Sequence, residues 1–137
     1  MIFPILLLIS LTSSTEFFIQ GSMKCNLNSN FEVSLELLEE DLIYATSDLI
    51  KSKDLGVKAS NVSHNFNIRG TYDEGDGILD DEYEPMLIIH HNCMSTPGAV
   101  GNVLRRFKSV PISTPAVNLT GLTFKLDDRK DLNTTPL

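Results

Sequence analysis

Hydrophobic and polar positions alternate most clearly in one stretch, where Phe31, Val33, Leu35 and Leu37 are separated by Glu32, Ser34 and Glu36. Successive side chains of a strand leave opposite faces, so this stretch predicts a strand with one face buried and one wet. Leu, Glu and Ser would tolerate a helix, but strict alternation over seven residues fits a strand better. Upstream, Ile19, Gly21, Met23 and Cys25 share one face, and Phe18, Gln20, Ser22 and Lys24 share the other. The turn-rich run Asn26-Leu27-Asn28-Ser29-Asn30 between the two segments reads as a hairpin loop.

Two readings stay open for residues 41–54. One is a short helix with Leu42, Ile43, Ala45, Leu49 and Ile50 on its apolar side; the other is a strand with a long loop. Val57 to Ala59 and Asn65 to Gly70 read as extended, with Phe66 and Ile68 pointing inward. Thr71 to Glu84 is acidic, contains two glycines, and reads as a surface loop. Met86 to Cys93 is a second strong strand, and Val103 to Ile112 a third, ended by Pro111 and Pro115. Leu119 to Leu126 adds a last edge strand, and Asp127 to Leu137 is a polar tail. Six or seven short strands separated by turn signals predict an all-β fold, a two-sheet antiparallel sandwich in which each sheet buries one face.

The first fourteen residues stand apart, because Met1 to Ser14 contain no charged side chain and Ile2 to Leu11 are almost wholly apolar. Thr12 and Ser14 then place small residues before Thr15. This is the layout of a signal peptide, although the usual basic residue before the apolar run is missing. A buried N-terminal strand or an uncleaved anchor is the competing reading. The expected organisation is a signal peptide over 1–14, a β-sandwich domain over 15–126 and a tail over 127–137. No second apolar run approaches the length of a transmembrane segment, so no transmembrane anchor is expected in the mature chain.

The net charge of −7 argues against a nucleic-acid partner, since phosphate neutralisation needs clustered Lys and Arg. The one basic cluster, Arg105, Arg106 and Lys108, reads as a solvated strand face. The chain has two cysteines, Cys25 and Cys93, and an oxidising compartment would favour one disulfide between them. Both fall on the buried side at the end of a strand, so they can bridge if those strands are neighbours; two buried free thiols are the alternative. Three sequons begin at Asn61, Asn118 and Asn133. Asn61 lies in a polar connection and is the better-placed glycan acceptor, whereas Asn118 enters an edge strand.

Two segments carry a family resemblance. Gly21-Ser22-Met23-Lys24-Cys25, a turn, then Val33-Ser34-Leu35-Glu36-Leu37 and Glu39-Glu40-Asp41 resembles the opening of the nematode transthyretin-like family. Glu84-Pro85-Met86-Leu87-Ile88-Ile89-His90-His91-Asn92-Cys93 is similar to that family's E-P-x-L-x-I-x-H-x-C strand, the more specific of the two motifs. Phe66-x-Ile68-x-Gly70 also fits. The resemblance covers residues 16–112, is poor between 42 and 63, and departs in a short C-terminal third without the extra cysteines of many members. It implies a transthyretin (prealbumin)-like sandwich, secretion, and no known catalytic activity for the family as a whole.

Candidate chemistry is sparse. His90 and His91 are adjacent on a strand, so their side chains leave opposite faces and cannot share one metal ion. His91 falls on the core side with Leu87, Ile89 and Cys93, where a backbone hydrogen bond is the expected role. The loop Asp73 to Glu84 ends in Glu as a calcium loop would, but Gly75, Gly77 and Ile78 occupy positions that need ligands or glycine. The hydroxyisourate hydrolases that share the transthyretin fold end in Y-R-G-S, whereas this chain ends Asn133-Thr134-Thr135-Pro136-Leu137. The expectation is therefore a protein without catalytic residues, metal or cofactor. What remains is binding. Met86, Ile88 and His90 would form an outward face more apolar than water requires, and so a candidate partner surface, unless a loop or residues 42–54 cover it. The expected partners are an extracellular protein or a small apolar or lipid ligand, the latter requiring a pocket lined by Phe31, Leu35, Phe66 and Leu87.

Overall fold

The computed structural model describes residues 14–27, 30–40, 47–73 and 82–127. All but the last residue of the expected signal peptide, most of the acidic loop, all but the first residue of the tail, and the Asn133 sequon lie outside the described residues. Among those described, the secondary structure is nine strands and no helix. They are β1 (Thr15–Lys24), β2 (Phe31–Glu40), β3 (Ser47–Lys58), β4 (His64–Tyr72) and β5 (Glu82–Tyr83), followed by β6 (Pro85–His91), β7 (Gly101–Arg106), β8 (Val110–Pro111) and β9 (Ala116–Lys125).

These strands form a three-stranded sheet in the order β4-β1-β9 and a four-stranded sheet in the order β3-β2-β6-β7, with β5 and β8 as a small third pair. The two larger sheets bury one face each. Phe17, Ile19 and Met23 of β1 meet Phe31, Val33, Leu35 and Leu37 of β2 and Leu87 and Ile89 of β6 in one continuous core. Burial follows the alternation of the sequence, because a one-residue slip would turn all these side chains into water. Each fully buried Leu or Phe contributes about 2 kcal/mol relative to exposure.

Several expectations are corrected. Ser47 to Lys58 is an edge strand, so a helix running to Asp54 is excluded over its described part. The segment expected as a loop from Thr71 to Glu84 has structured ends: Tyr72 closes β4, and Tyr83 of β5 is buried at 2% exposure. Tyr83 sits edge-on to both Phe17 and Tyr72, which a reading of the acidic composition missed. The single strand expected over Val103–Ile112 is divided into β7 and β8. Finally, the edge strand expected over Leu119–Leu126 is present as β9 at the edge of its sheet, but it lies parallel to β1, whereas the other ladders are antiparallel.

Cys25 and Cys93 form a disulfide with a Cα–Cα distance of 6.0 Å. The strands that lead into them are not neighbours, as bridging had been expected to require. β1 belongs to one sheet and β6 to the other, so the bond spans the sandwich. One lateral margin is closed by polar contacts between the sheets. There Lys53 Nζ donates to the Asn67 carbonyl at 2.8 Å, and the Tyr72 hydroxyl donates to Asp48 Oδ2 at 2.7 Å.

Candidate functional site

The outer face of the four-stranded sheet is set by the residues that alternate with the core. From β2 these are Glu32, Ser34 and Glu36; His90 of β6 lies opposite Ser34 on one side and Asn102 of β7 on the other. Asp54 of β3 continues the same row, paired with Ser34. Together with the exposed Val100 before β7, these positions line a groove of about 600 Å³ across all four strands.

His90 is the polar centre of the groove. Its Nδ1 is 2.7 Å from Asn102 Oδ1, and its Nε2 is 3.3 Å from Glu36 Oε1. The second contact is out of line for a hydrogen bond and becomes an ion pair when the imidazole is protonated. The charges around it are mainly negative, from Glu32, Glu36 and Asp54. Lys53 also borders the groove, but its ammonium is held by Asn67 on β4.

The three residues expected on this outward face have different fates. His90 lines the groove and Ile88 is half-buried beside Leu104, its partner on β7. Met86 is only 4% exposed and cannot offer itself to a partner. Its cover includes an ion pair: the Arg106 Nε–H donates to Glu40 Oε2 at 2.7 Å, and Nη2–H to Oε1 at 3.0 Å. Glu40 is on β2 and Arg106 on β7, the two strands flanking β6, so the pair must cross β6 on the face to which Met86 points. Residues 47–54 lie in the sheet plane as part of β3 and do not cover this face; residues 41–46 lie outside the described residues.

Two of the three residues of the basic cluster are engaged by neighbours, while Lys108 is exposed. Arg105 lies over the Phe124 ring, 4.9 Å from its centroid, and Arg106 is held by Glu40. The histidines are dispersed. His64 Nε2 is 2.7 Å from the Ala59 carbonyl, while His91 is buried on the core side, where its Nδ1 accepts the Cys93 N–H at 3.1 Å. Burial, with a smaller contribution from His90, lowers the His91 pKa from its ordinary value. Asn61 and Asn118 are both exposed. Asn102 and Asp54 were not picked out from sequence, because their place in the groove depends on the register of β7 and β3, which no local pattern encodes.

The geometry defines a disulfide-linked β-sandwich with an anionic groove on one outer face. Comparison with family models, with curated proteins and with solved structures returns no match for this chain. Among the described residues, no helix is long and apolar enough to cross a membrane.

Proposed function

We propose that this chain is a secreted, non-catalytic extracellular binding domain, and that its recognition surface is the groove around Glu36, His90 and Asp54. The observation that carries the reading is the groove itself: carboxylates and amides from separate strands converge on one concavity, on a face that the core does not need. Three carboxylates at that site suit a protein segment bearing Lys or Arg, and such charge complementarity sets encounter rate and selectivity. Secretion is supported by the apolar, charge-free start of the sequence and by a disulfide, which persists in oxidising compartments. The two-sheet sandwich supports reading the chain as similar to the nematode transthyretin-like family.

The carrier reading has less support. Phe31, Leu35, Phe66 and Leu87, expected to line an internal ligand pocket, are each 3% exposed or less and belong to the continuous core. A hydrolase reading would need a reactive His91, whose Nδ1 is occupied by the Cys93 amide. Hydroxyisourate turnover lost in His91→Ala would overturn the non-catalytic assignment.

The binding reading is tested by affinity capture from extracellular fluid and cell surfaces, using the mature domain beside a Glu36→Gln/Asp54→Asn variant. A partner held by the native domain, weakened by salt and lost with the variant is expected. Equal capture by both proteins would remove the groove from the proposal.

A further inference from the structure

On the outer face of the three-stranded sheet, Glu16, Gln20, Ser22 and Lys24 of β1 point away from the core, and Phe18 stands among them. Its neighbours Phe17 and Ile19 are fully buried on the opposite face, so Phe18 plays no part in the core. One flank of the ring is already used. Arg69, its partner on β4, lies over the ring 4.9 Å from the centroid and is itself 3.1 Å from Glu16 Oε1. On the other flank, directly opposite Phe18 on the parallel strand β9, is Asn118.

Asn118 opens the sequon Asn118-Leu119-Thr120. Asn118 and Thr120 are exposed, while Leu119 between them packs against the core. The edge strand thus presents the acceptor amide on a wet face. The geometry points to N-glycosylation at Asn118, with the first N-acetylglucosamine of the glycan lying against Phe18. Asn118 Nδ2 forms a bond to C1 of the sugar, the sugar's bond to the diphosphate of a lipid-linked oligosaccharide breaks, and the amide gives up one proton. Adjacent strands are about 4.8 Å apart, so a sugar one amide bond beyond Asn118 reaches the ring on β1. The C–H face of the pyranose packs on the electron-rich face of an aromatic ring and covers apolar surface that the sheet leaves bare. This inference rests on the secretion reading, because the transferase works in the secretory pathway.

The test expresses the full chain in a eukaryotic secretory host in two forms, one with its own residues 1–14 and one with an unrelated signal sequence in their place. Enzymatic glycan release in ¹⁸O-water marks each used asparagine as labelled aspartate, read by peptide mass mapping. Label at Asn118 is expected in both forms. Secretion of only the second form would overturn the secretion reading, while its Asn118 result would still decide the inference. An unlabelled Asn118 in that form overturns the inference, whatever Asn61 carries. For the stacking, the glycan is trimmed to one sugar and the thermal midpoint compared with that of Asn118→Gln. A gain of a few degrees is expected, retained in Phe18→Tyr and lost in Phe18→Thr, a variant that leaves the core intact. An equal gain in the Phe18→Thr background overturns the contact with Phe18.

Discussion

Cys25 and Cys93 are bonded between the two sheets, the first just beyond β1 and the second just beyond β6, with their Cα atoms 6.0 Å apart. Strands within a sheet are held by hydrogen-bond ladders, but two sheets face to face are held by side-chain packing. The disulfide is therefore a covalent link between layers whose association otherwise depends on burial of apolar side chains and on the few polar contacts at the β3–β4 margin. It closes a loop with a sequence separation of 68 residues.

Replacing both cysteines with alanine is expected to cost about 4 kcal/mol by the loop-entropy model. Urea unfolding of the two proteins measures it, and a loss of unfolding free energy below about 1 kcal/mol would contradict that figure. Mass spectrometry of the non-reduced native chain should show a linked Cys25–Cys93 peptide and no alkylated thiol.

Acid should weaken the fold through His91. The neutral ring accepts the Cys93 N–H at Nδ1, and burial holds its pKa below the ordinary 6.5. The unfolded chain therefore binds a proton more readily than the folded one, and stability rises with pH across this window. The contribution is complete above pH 6.5 and is lost as pH falls from there through the lower folded value. Stability measured as a function of pH should show this slope, and His91→Asn, which keeps an acceptor near the Nδ1 position, should flatten it. An unchanged slope in the variant would assign the acid sensitivity elsewhere.

The fork between Arg106 and Glu40 is partly open to water, with side-chain exposures of 42% and 25%, so its electrostatic contribution is about 0.5–1 kcal/mol. Arg106→Ala should cost more than that, because the arginine stem also covers apolar surface beside Met86. Arg106→Lys should recover only part of the loss, since an ammonium cannot donate in two fixed parallel directions. A double-mutant cycle with Glu40→Gln separates the pair energy from the covering effect; a coupling of zero would leave only the latter.

Gly21 lies where β1 approaches β9 and Phe66. A Cβ there would sit 2.7 Å from the Leu122 carbonyl oxygen and 2.9 Å from both Leu122 Cβ and Phe66 Cζ. Two of those atoms are held by the neighbouring strand, so Gly21→Ala is expected to destabilise by about 1–3 kcal/mol through overpacking. Gly56→Ala is a useful contrast: it has open space but a φ of +71°, so any loss there comes from backbone conformation alone. Denaturant midpoints measure both, and a neutral Gly21→Ala would mean that β9 can move away from β1.

Much of this architecture was readable locally. The alternation from Phe31 to Leu37 assigned β2 and its buried face, and the same logic placed Ile19 and Met23 inward and Phe18 outward, because side-chain direction in a strand is a property of parity. The opposite directions of His90 and His91 followed from the same rule, and the structure places one in the groove and the other against the Cys93 amide. Polar composition was a poorer guide: it marked the region around Tyr83 as a loop, although one aromatic side chain suffices to anchor such a segment in the core.

The sequence by itself determined the strands and inward faces of β1, β2, β4 and β6, and which two sulfurs were available to bond. Only the tertiary structure decided which strands meet. Pairing β1 with β9 joins residues a hundred positions apart, and no local preference records such a partner. That pairing sets Asn118 beside Phe18, just as the order β3-β2-β6-β7 assembles Asp54, Glu36, His90 and Asn102 into one groove. It also explains why the sulfurs bridge sheets rather than neighbouring strands. Parity is set within a few residues of chain, whereas register and sheet order come from the joint burial of distant segments.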